Sequence, residues 1–205
     1  MHRATNPARA GQEGHSLAEC VVCLALIAIV TMVAIPHLAE ARRAAALRAL
    51  AQPVRGLLAR RRSWAVLHDR NTALVFERAG AWLCFVAVDG DGDGVRREDI
   101  LAGRDPVVGA KVRLREGDIA LGILSSERVP DPSGAGWLGG DLGDPVRAGS
   151  GDIISFSAGG TARSASVFMT DNRSQMRVVR VFAATGRTRS MVWKSGWEHW
   201  RQGLW

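Results

Sequence analysis

Residues 14–39 decide the fold of this chain, and they read GHSLAECVVCLALIAIVTMVAIPHLA. After Glu19 the stretch carries no Asp, Glu, Lys or Arg through Ala39, a run about as long as a helix that crosses a bilayer. A carboxylate near the centre of a bilayer costs about 2.5–3.5 kcal/mol, so such a residue is rarely kept without a role. The sequence therefore predicts a membrane-spanning helix with a functional carboxylate, Glu19, at its N-terminal end.

A secretory signal peptide is the main alternative interpretation of this stretch. A signal peptide would place a cleavage site of small residues after its apolar run. Residues 35–40, IPHLAE, match such a site poorly, and Glu19 would be unusual inside the apolar region. A plain membrane anchor is the other alternative, but it leaves the spacing of Gly14, Glu19 and Pro36 to coincidence.

The motif resembles the prepilin peptidase site of type IV pilins and type II secretion pseudopilins. The resemblance implies that residues 1–14 are a leader, cut between Gly14 and His15 by a prepilin peptidase. It also implies methylation of the new N-terminus. Glu19 then becomes the fifth residue of the mature chain and Pro36 the twenty-second, where this family has a glutamate and commonly a proline.

The helical pattern continues past the membrane segment. Residues 15–39 form the transmembrane half of the predicted helix and residues 40–70 an amphipathic half. An unbroken helix from about Ser16 to about Leu67 would reach roughly 75 Å. Pro36 should kink the helix, and Pro53 either kinks it again or divides it into two helices. The apolar stripe of the second half consists of Leu47, Leu50, Val54, Leu57 and Trp64.

The periodicity changes to that of β-strands after residue 70. Two short apolar runs, 72–77 and 81–88, are joined by a turn and predict a hairpin. Residues 125–151, rich in glycine and proline, predict a long surface loop. We therefore expect an α+β fold, in which a long N-terminal transmembrane and amphipathic helix packs on an antiparallel β-sheet domain at residues 71–205. Further strands are predicted at 111–115, 153–157, 166–170, 176–182 and 188–193.

This order of elements is similar to that of the minor pseudopilins called GspH and the related type IV pilin protein FimT. The local features that carry the resemblance are an arginine-rich helix end, a tryptophan strand before an Asp/Gly turn, a Gly-Gly segment and a Thr-Gly-Arg stretch. They lie at 60–66, 82–94, 156–160 and 185–189. The resemblance implies a minor subunit that assembles into or primes a type II secretion pseudopilus or a type IV pilus.

The same resemblance implies partners and a location. The partners would be other pilin or pseudopilin subunits, the prepilin peptidase and the inner-membrane assembly platform. The chain would cross the inner membrane once, with its C-terminal domain in the periplasm. In the filament, Glu19 would pair with the N-terminal amine of a neighbouring subunit, which offsets the cost of burying the carboxylate.

The Asp/Gly turn suggests a calcium site. Asp89, Asp91 and Asp93 supply carboxylates at positions 1, 3 and 5 of an EF-hand-like loop, with Gly94 at position 6. The closing position, 12, is Ile100, which cannot ligate a cation. Because Asp/Gly repeats also form ordinary turns, calcium binding and a simple turn remain alternative interpretations.

The formal net charge is +7, and arginine is concentrated at both ends of the predicted domain. Residues 40–70 hold eight arginines against two acidic residues, and residues 161–205 hold seven arginines and Lys194 against two. Such basic segments favour anionic lipid, acidic partner subunits or DNA as partners.

DNA binding is the alternative function. Certain FimT-like proteins are associated with DNA uptake and share a Gly-Arg-x-Arg stretch, which residues 186–189 match. Arginines on the exposed face of a strand are the simpler explanation. The tryptophan-rich tail could stack on bases, close the core or dock on a neighbour. The candidate DNA-binding residues are Arg187, Arg189, Lys194 and Arg201.

Nothing in the sequence favours an enzyme or predicts a cofactor other than calcium. The chain has no nucleophile elbow and no phosphate-binding loop, and its five histidines are scattered. We expect its three cysteines to be apolar side chains, since Cys20 and Cys23 lie in the membrane segment and Cys84 in a predicted strand.

Overall fold

The structure is a computed structural model that describes residues 16–114, 119–149 and 151–203. It divides into two compact units, one ending at Ala41 and one beginning at Arg42. The first unit contains the apolar beginning of helix α1, and the second contains the rest of α1 and every strand of the described chain. The predicted leader, with its cleavage site at Gly14 and His15, lies outside the described residues.

Helix α1 spans Leu17–His68 and continues through both Pro36 and Pro53. An interior proline costs about 3 kcal/mol or more. Around Pro53 the burial of neighbouring side chains in the core offsets that cost, so one helix forms rather than two. The buried side chains of the second half are Leu47, Leu50, Ala51, Val54, Leu58 and Ala65.

The apolar stripe of α1 differs from the prediction at its end. Trp64 is half-buried and stacks on His68, with 4.2 Å between the ring centres, whereas Leu58 and Ala65 are fully buried. The predicted stripe ran through Trp64 because a large aromatic residue outranks alanine in hydrophobicity. At this place, however, the small side chain of Ala65 is the one that packs into the core between the helix and the sheets.

A four-stranded antiparallel sheet contains β1 (Thr72–Ala79), β2 (Ala81–Val88), β3 (Val107–Arg113) and β6 (Ile153–Phe156). Its spatial order is β3-β2-β1-β6. The predicted hairpin is confirmed: β1 and β2 pair from Thr72 opposite Val88 to Ala79 opposite Ala81. Gly80 closes the turn with a φ of 73°, which glycine adopts without a steric penalty. Between β2 and β3 lies a short helix, α2 (Arg97–Ala102).

A six-stranded antiparallel sheet contains the remaining strands of the described chain. The strands are β4 (Ala120–Leu121), β5 (Val146–Arg147), β7 (Ala165–Thr170), β8 (Gln175–Val181), β9 (Thr188–Lys194) and β10 (Arg201–Gln202). The main path of the sheet is β10-β9-β8-β7-β4, and β5 also pairs with β7.

The main core lies between the second half of α1 and one face of each sheet. The four-stranded sheet contributes Phe76 and Phe156 to this core, and the six-stranded sheet contributes Val167 and Val179. All four side chains are fully buried. This arrangement confirms the α+β fold class, a long N-terminal helix followed by antiparallel sheets.

Residues 125–151, predicted as a long surface loop, include buried side chains and a short strand. Val129, Val146 and Ala148 are buried, and β5 lies within the loop and pairs with β7. Strand β3 begins at Val107, earlier than predicted. Strands of two residues, such as β4, β5 and β10, are too short to show the alternation of apolar and polar residues that predicts a strand. Only their pairing with a neighbouring strand defines them.

Candidate functional site

The N-terminus of α1 is capped by Ser16. Its Oγ accepts a hydrogen bond from the backbone N–H of Glu19 (3.3 Å), and its carbonyl accepts from the N–H groups of Glu19 (3.0 Å) and Cys20 (3.2 Å). Ser-x-x-Glu is the sequence signature of a capping box, and a carboxylate in the first turn also interacts favourably with the helix dipole. Glu19 therefore stands at a structurally defined helix start. Sequence reasoning missed Ser16 as the cap, although the signature was present.

The apolar half of α1 presents its side chains outward. Thr31 lies among these apolar residues, and its hydroxyl donates within the helix to the carbonyl of Ile27 (2.8 Å), so it adds no unsatisfied group. Pro36 is exposed in this half. By length and composition the helix can cross a membrane, as a single-pass anchor requires. The large apolar side chains more than half exposed here are Leu17, Val21, Val22, Leu24, Leu26, Ile27, Ile29, Val30, Met32, Val33, Ile35 and Leu38.

Asp89, Asp91 and Asp93 lie together, each offering an oxygen within 4.8 Å of the others. Asp89 is buried, and its two oxygens accept hydrogen bonds from the N–H groups of Gly92 (2.7 Å) and Gly94 (2.9 Å). Burial raises the pKa of Asp89, but hydrogen bonds from the Asn71 side chain and the backbone outweigh it and hold the pKa below its ordinary value. Asp89 thus acts first as the acceptor that closes the turn.

The other two carboxylates of the turn face arginines. Asp93 pairs with Arg96 (2.6 Å), and Asp91 lies 3.7 Å from Nε of Arg104. The pKa of Asp93 is raised, first by partial loss of hydration and then by the hydrogen bond to Asp91, against the opposing charge of Arg96. The positive charges of Arg96 and Arg104 therefore already neutralise the two carboxylates that a bound cation would need.

The residues around the turn fit calcium poorly. Asp99, one residue before the position of the closing EF-hand ligand, is buried and accepts a hydrogen bond from Nε of Arg104 (2.7 Å). Ile100 packs into an apolar cluster with Val95 on the outer face of the four-stranded sheet. Asp105, which sequence reasoning missed, accepts from the N–H groups of Gly90 and Arg96. The carboxylates thus hold this segment over the sheet, and calcium binding stays a prediction.

The predicted DNA-binding residues do not share one face. Arg189 lies directly opposite Arg180 in the β8–β9 pair, and Arg187 is exposed just before β9. Lys194 is an odd number of residues from Arg189 and thus on the other face of β9. Arg201 of β10 pairs with Val192, which lies on the same face of β9 as Lys194. Its guanidinium group lies 4.0 Å from the centre of the Trp197 ring. The structure therefore brings Arg189 together with an arginine that sequence reasoning did not select.

Arg189 belongs to a row of arginines that crosses the six-stranded sheet. The register places Arg147 of β5 opposite Ser166 of β7, Ser166 opposite Arg180 of β8, and Arg180 opposite Arg189 of β9. The guanidinium groups of Arg180 and Arg189 lie 5.5 and 5.3 Å from the centre of the Phe182 ring. Within the described chain, none of the three arginines forms an ion pair with a carboxylate. We call Arg147, Arg180 and Arg189 the arginine row.

The glycine of the Gly-Arg-x-Arg stretch has a structural role. Gly186 has a φ of 59°, and a Cβ at this position would lie 2.3 Å from the carbonyl oxygen of Gly160 and 2.9 Å from Cδ of Arg62. Nε of Arg62 also donates to that carbonyl (3.1 Å). The β8–β9 turn therefore packs against the turn around Gly160 and the end of α1.

The tryptophan tail closes a second apolar cluster on the outer face of the six-stranded sheet. Trp193 is buried there, and its indole N–H donates to the carbonyl of Trp197 (2.7 Å). The indole N–H of Trp200 donates to the carbonyl of Pro130 (2.6 Å), and its ring meets Phe168 edge-on. Among the predicted roles of the tail, core closure is the one these contacts support. Trp205 lies outside the described residues.

Comparisons with known protein families, curated proteins and solved structures find no match to this chain.

Proposed function

We propose that this chain is a minor pilin or pseudopilin subunit of the GspH/FimT type, which assembles into or primes a type II secretion pseudopilus or a type IV pilus. The observation that carries the proposal is a long helix with two different halves. Its apolar first half is exposed and has a carboxylate in a capped first turn, whereas antiparallel sheets pack on its second half. A soluble protein would have to cover the exposed apolar half, and a filament or a membrane covers it.

In this function a prepilin peptidase removes residues 1–14 and the new N-terminus at His15 is methylated. The chain is held in the inner membrane by the apolar half of α1, with its sheet domain in the periplasm. The assembly platform then extracts the subunit. Apolar side chains of α1 move from lipid to the helices of neighbouring subunits, and Glu19 pairs with the N-terminal amine of a neighbour.

Processing tests the proposal directly. When the chain is produced in bacterial membranes with a prepilin peptidase, we expect the intact mass to fall by that of residues 1–14 and the new chain to begin at His15. Gly14→Leu is the matched control, because it changes only the proposed cleavage site and should leave the full-length mass. A wild-type chain that keeps its first residues beside an active peptidase and a cleaved reference pilin would contradict the proposal.

DNA binding is a second candidate function, and the arginine row favours it. Three guanidinium groups without carboxylate partners in the described chain lie in line across adjacent strands, beside an exposed Arg187. Nε of Arg180 is buried without a hydrogen-bond partner among the described residues. A phosphate backbone would supply acceptors to such a row, and the binding would be sensitive to salt.

Alanine substitutions measure this second function. In a titration of the full chain in detergent with duplex DNA, changing Arg180 and Arg189 together should reduce the slope of log affinity against log salt by about 2. Changing Arg60 and Arg113 removes the same charge from exposed positions outside the arginine row and should leave most of the slope. Equal losses in the two double variants would mean general electrostatic attraction and would exclude a site at the arginine row.

A further inference from the structure

A groove of about 520 Å³ lies over the outer face of the six-stranded sheet, within the size range of about 300–1,000 Å³ typical of ligand sites. One wall is the turn from Pro130 to Trp137, and the other is the tail around Trp200. Met191 of β9 also lines it. We call this the tryptophan groove. No residue of the membrane helix or of the arginine row lines this groove.

Both walls of the tryptophan groove are held by hydrogen bonds. Pro130 and Trp137 form an antiparallel bridge, and the N–H of Asp131 donates to the carbonyl of Gly136 (2.9 Å). The indole N–H of Trp200 is fixed on the carbonyl of Pro130 (2.6 Å), so the tail and the turn are joined. Trp137 nevertheless remains 59% exposed. The groove is therefore preformed, with an aromatic ring left open to solvent at its edge.

The charge of the tryptophan groove is opposite to that of the chain. Asp131 and Glu198 line it, whereas no arginine or lysine of the described chain does. Neither carboxylate forms an ion pair among the described residues. One oxygen of Asp131 accepts from the N–H of Ser133 (2.6 Å), which orients the carboxylate. In a chain with a net charge of +7, a site lined by aromatic rings and two carboxylates selects for positive charge.

We propose that the tryptophan groove binds an arginine-bearing peptide segment of a partner protein. A guanidinium group stacks on a tryptophan face and donates to carboxylates in its own plane, so Trp137 and Glu198 offer it complementary contacts. The prolines and Met191 offer apolar surface to the flanking residues of the peptide. This proposal goes beyond filament assembly and does not depend on it, because every contact lies in the sheet domain.

The test uses the full chain in detergent and isothermal titration with two peptides, acetyl-Leu-Arg-Leu-amide and the same peptide with citrulline. Citrulline keeps the shape of arginine and removes the charge. We expect the arginine peptide to bind and the citrulline peptide to bind at least about tenfold more weakly, as expected when a cation–π contact and a carboxylate contact are both lost. Trp137→Ala should weaken arginine binding about three- to thirtyfold.

Two further variants keep the result interpretable. Glu198→Gln should weaken the arginine peptide but not the citrulline peptide, and since Glu198 is exposed it should not affect folding. Trp64→Ala removes a half-buried tryptophan far along the sequence and should leave binding unchanged. Equal affinity for the two peptides, no detectable binding, or binding of maltotriose in place of the arginine peptide would each overturn the proposal.

Discussion

Changing Glu19 to alanine is expected to lower incorporation of the chain into filaments about a hundredfold and to leave it inserted in the membrane. In the proposed filament the carboxylate meets the N-terminal amine of a neighbour. Without it that amine is buried unpaired, at a cost of about 2.5–3.5 kcal/mol, and each 1.4 kcal/mol is a factor of about ten. The measurement is the ratio of the chain in sheared filaments to that in membranes, by immunoblot, with the other subunits present.

The capping geometry supplies the control for this experiment. Ser16→Ala removes the hydroxyl that accepts from the Glu19 N–H but keeps the carboxylate. It should cost about 1 kcal/mol of helix stability and leave incorporation close to wild type. Glu19→Gln keeps a side chain suited to a capping box and loses the charge, so it should fail like alanine. If Ser16→Ala fails as Glu19→Ala does, or Glu19→Gln assembles normally, the role of Glu19 is helix capping and the proposed ion pair is excluded.

Changing Gly186 to alanine is expected to lower the free energy of unfolding of the sheet domain by about 3 kcal/mol or more. The positive φ of 59° costs a side-chain-bearing residue about 1–2 kcal/mol. The added Cβ would also lie 2.3 Å from the carbonyl oxygen of Gly160, so backbone must move, and overpacking of this kind costs about 1–3 kcal/mol. Chemical denaturation followed by tryptophan fluorescence measures the difference.

Gly196 provides the matched control for Gly186. Its φ is 80°, and nothing lies within 4 Å of the position a Cβ would occupy. Gly196→Ala should therefore cost only the backbone strain, about 1–2 kcal/mol. Arg187→Ala and Arg189→Ala change exposed side chains and should stay within about 0.5 kcal/mol of wild type. A Gly186→Ala variant no less stable than Gly196→Ala would show that the two turns are not in contact.

Features encoded over short distances could be predicted from the sequence. The apolar run after Glu19 predicts a membrane-spanning helix, and the two short apolar runs on either side of Gly80 predict the β1–β2 hairpin, because each signal depends only on neighbouring residues. The same was true of the Ser16 cap, whose Ser-x-x-Glu signature was available but overlooked. The continuity of α1 through Pro53 could not be decided, since it depends on how much apolar surface the sheets bury against the helix.

The arginine row could not be predicted, because it is a property of strand register. Arg147 and Arg189 are 42 residues apart and come into line only through Ser166 and Arg180. A shift of one residue in any of these three pairings would turn an arginine to the opposite face. Asp105 presents the same difficulty, since its partners Gly90 and Arg96 lie on the far side of a turn and a short helix. The tryptophan groove likewise requires the tail to return to Pro130.

The segments that cover the outer faces of the two sheets are fixed in different ways. Val95 and Ile100 pack on the four-stranded sheet, and the turn before them is closed by hydrogen bonds to the Asp89 carboxylate, whereas tryptophan rings pack on the six-stranded sheet. Because the pKa of Asp89 is lowered in the folded chain, its contribution to stability is complete above the ordinary carboxylate pKa and is lost as the pH falls through the lowered value. Acidification is therefore expected to loosen the cover of the four-stranded sheet at the turn that Asp89 closes.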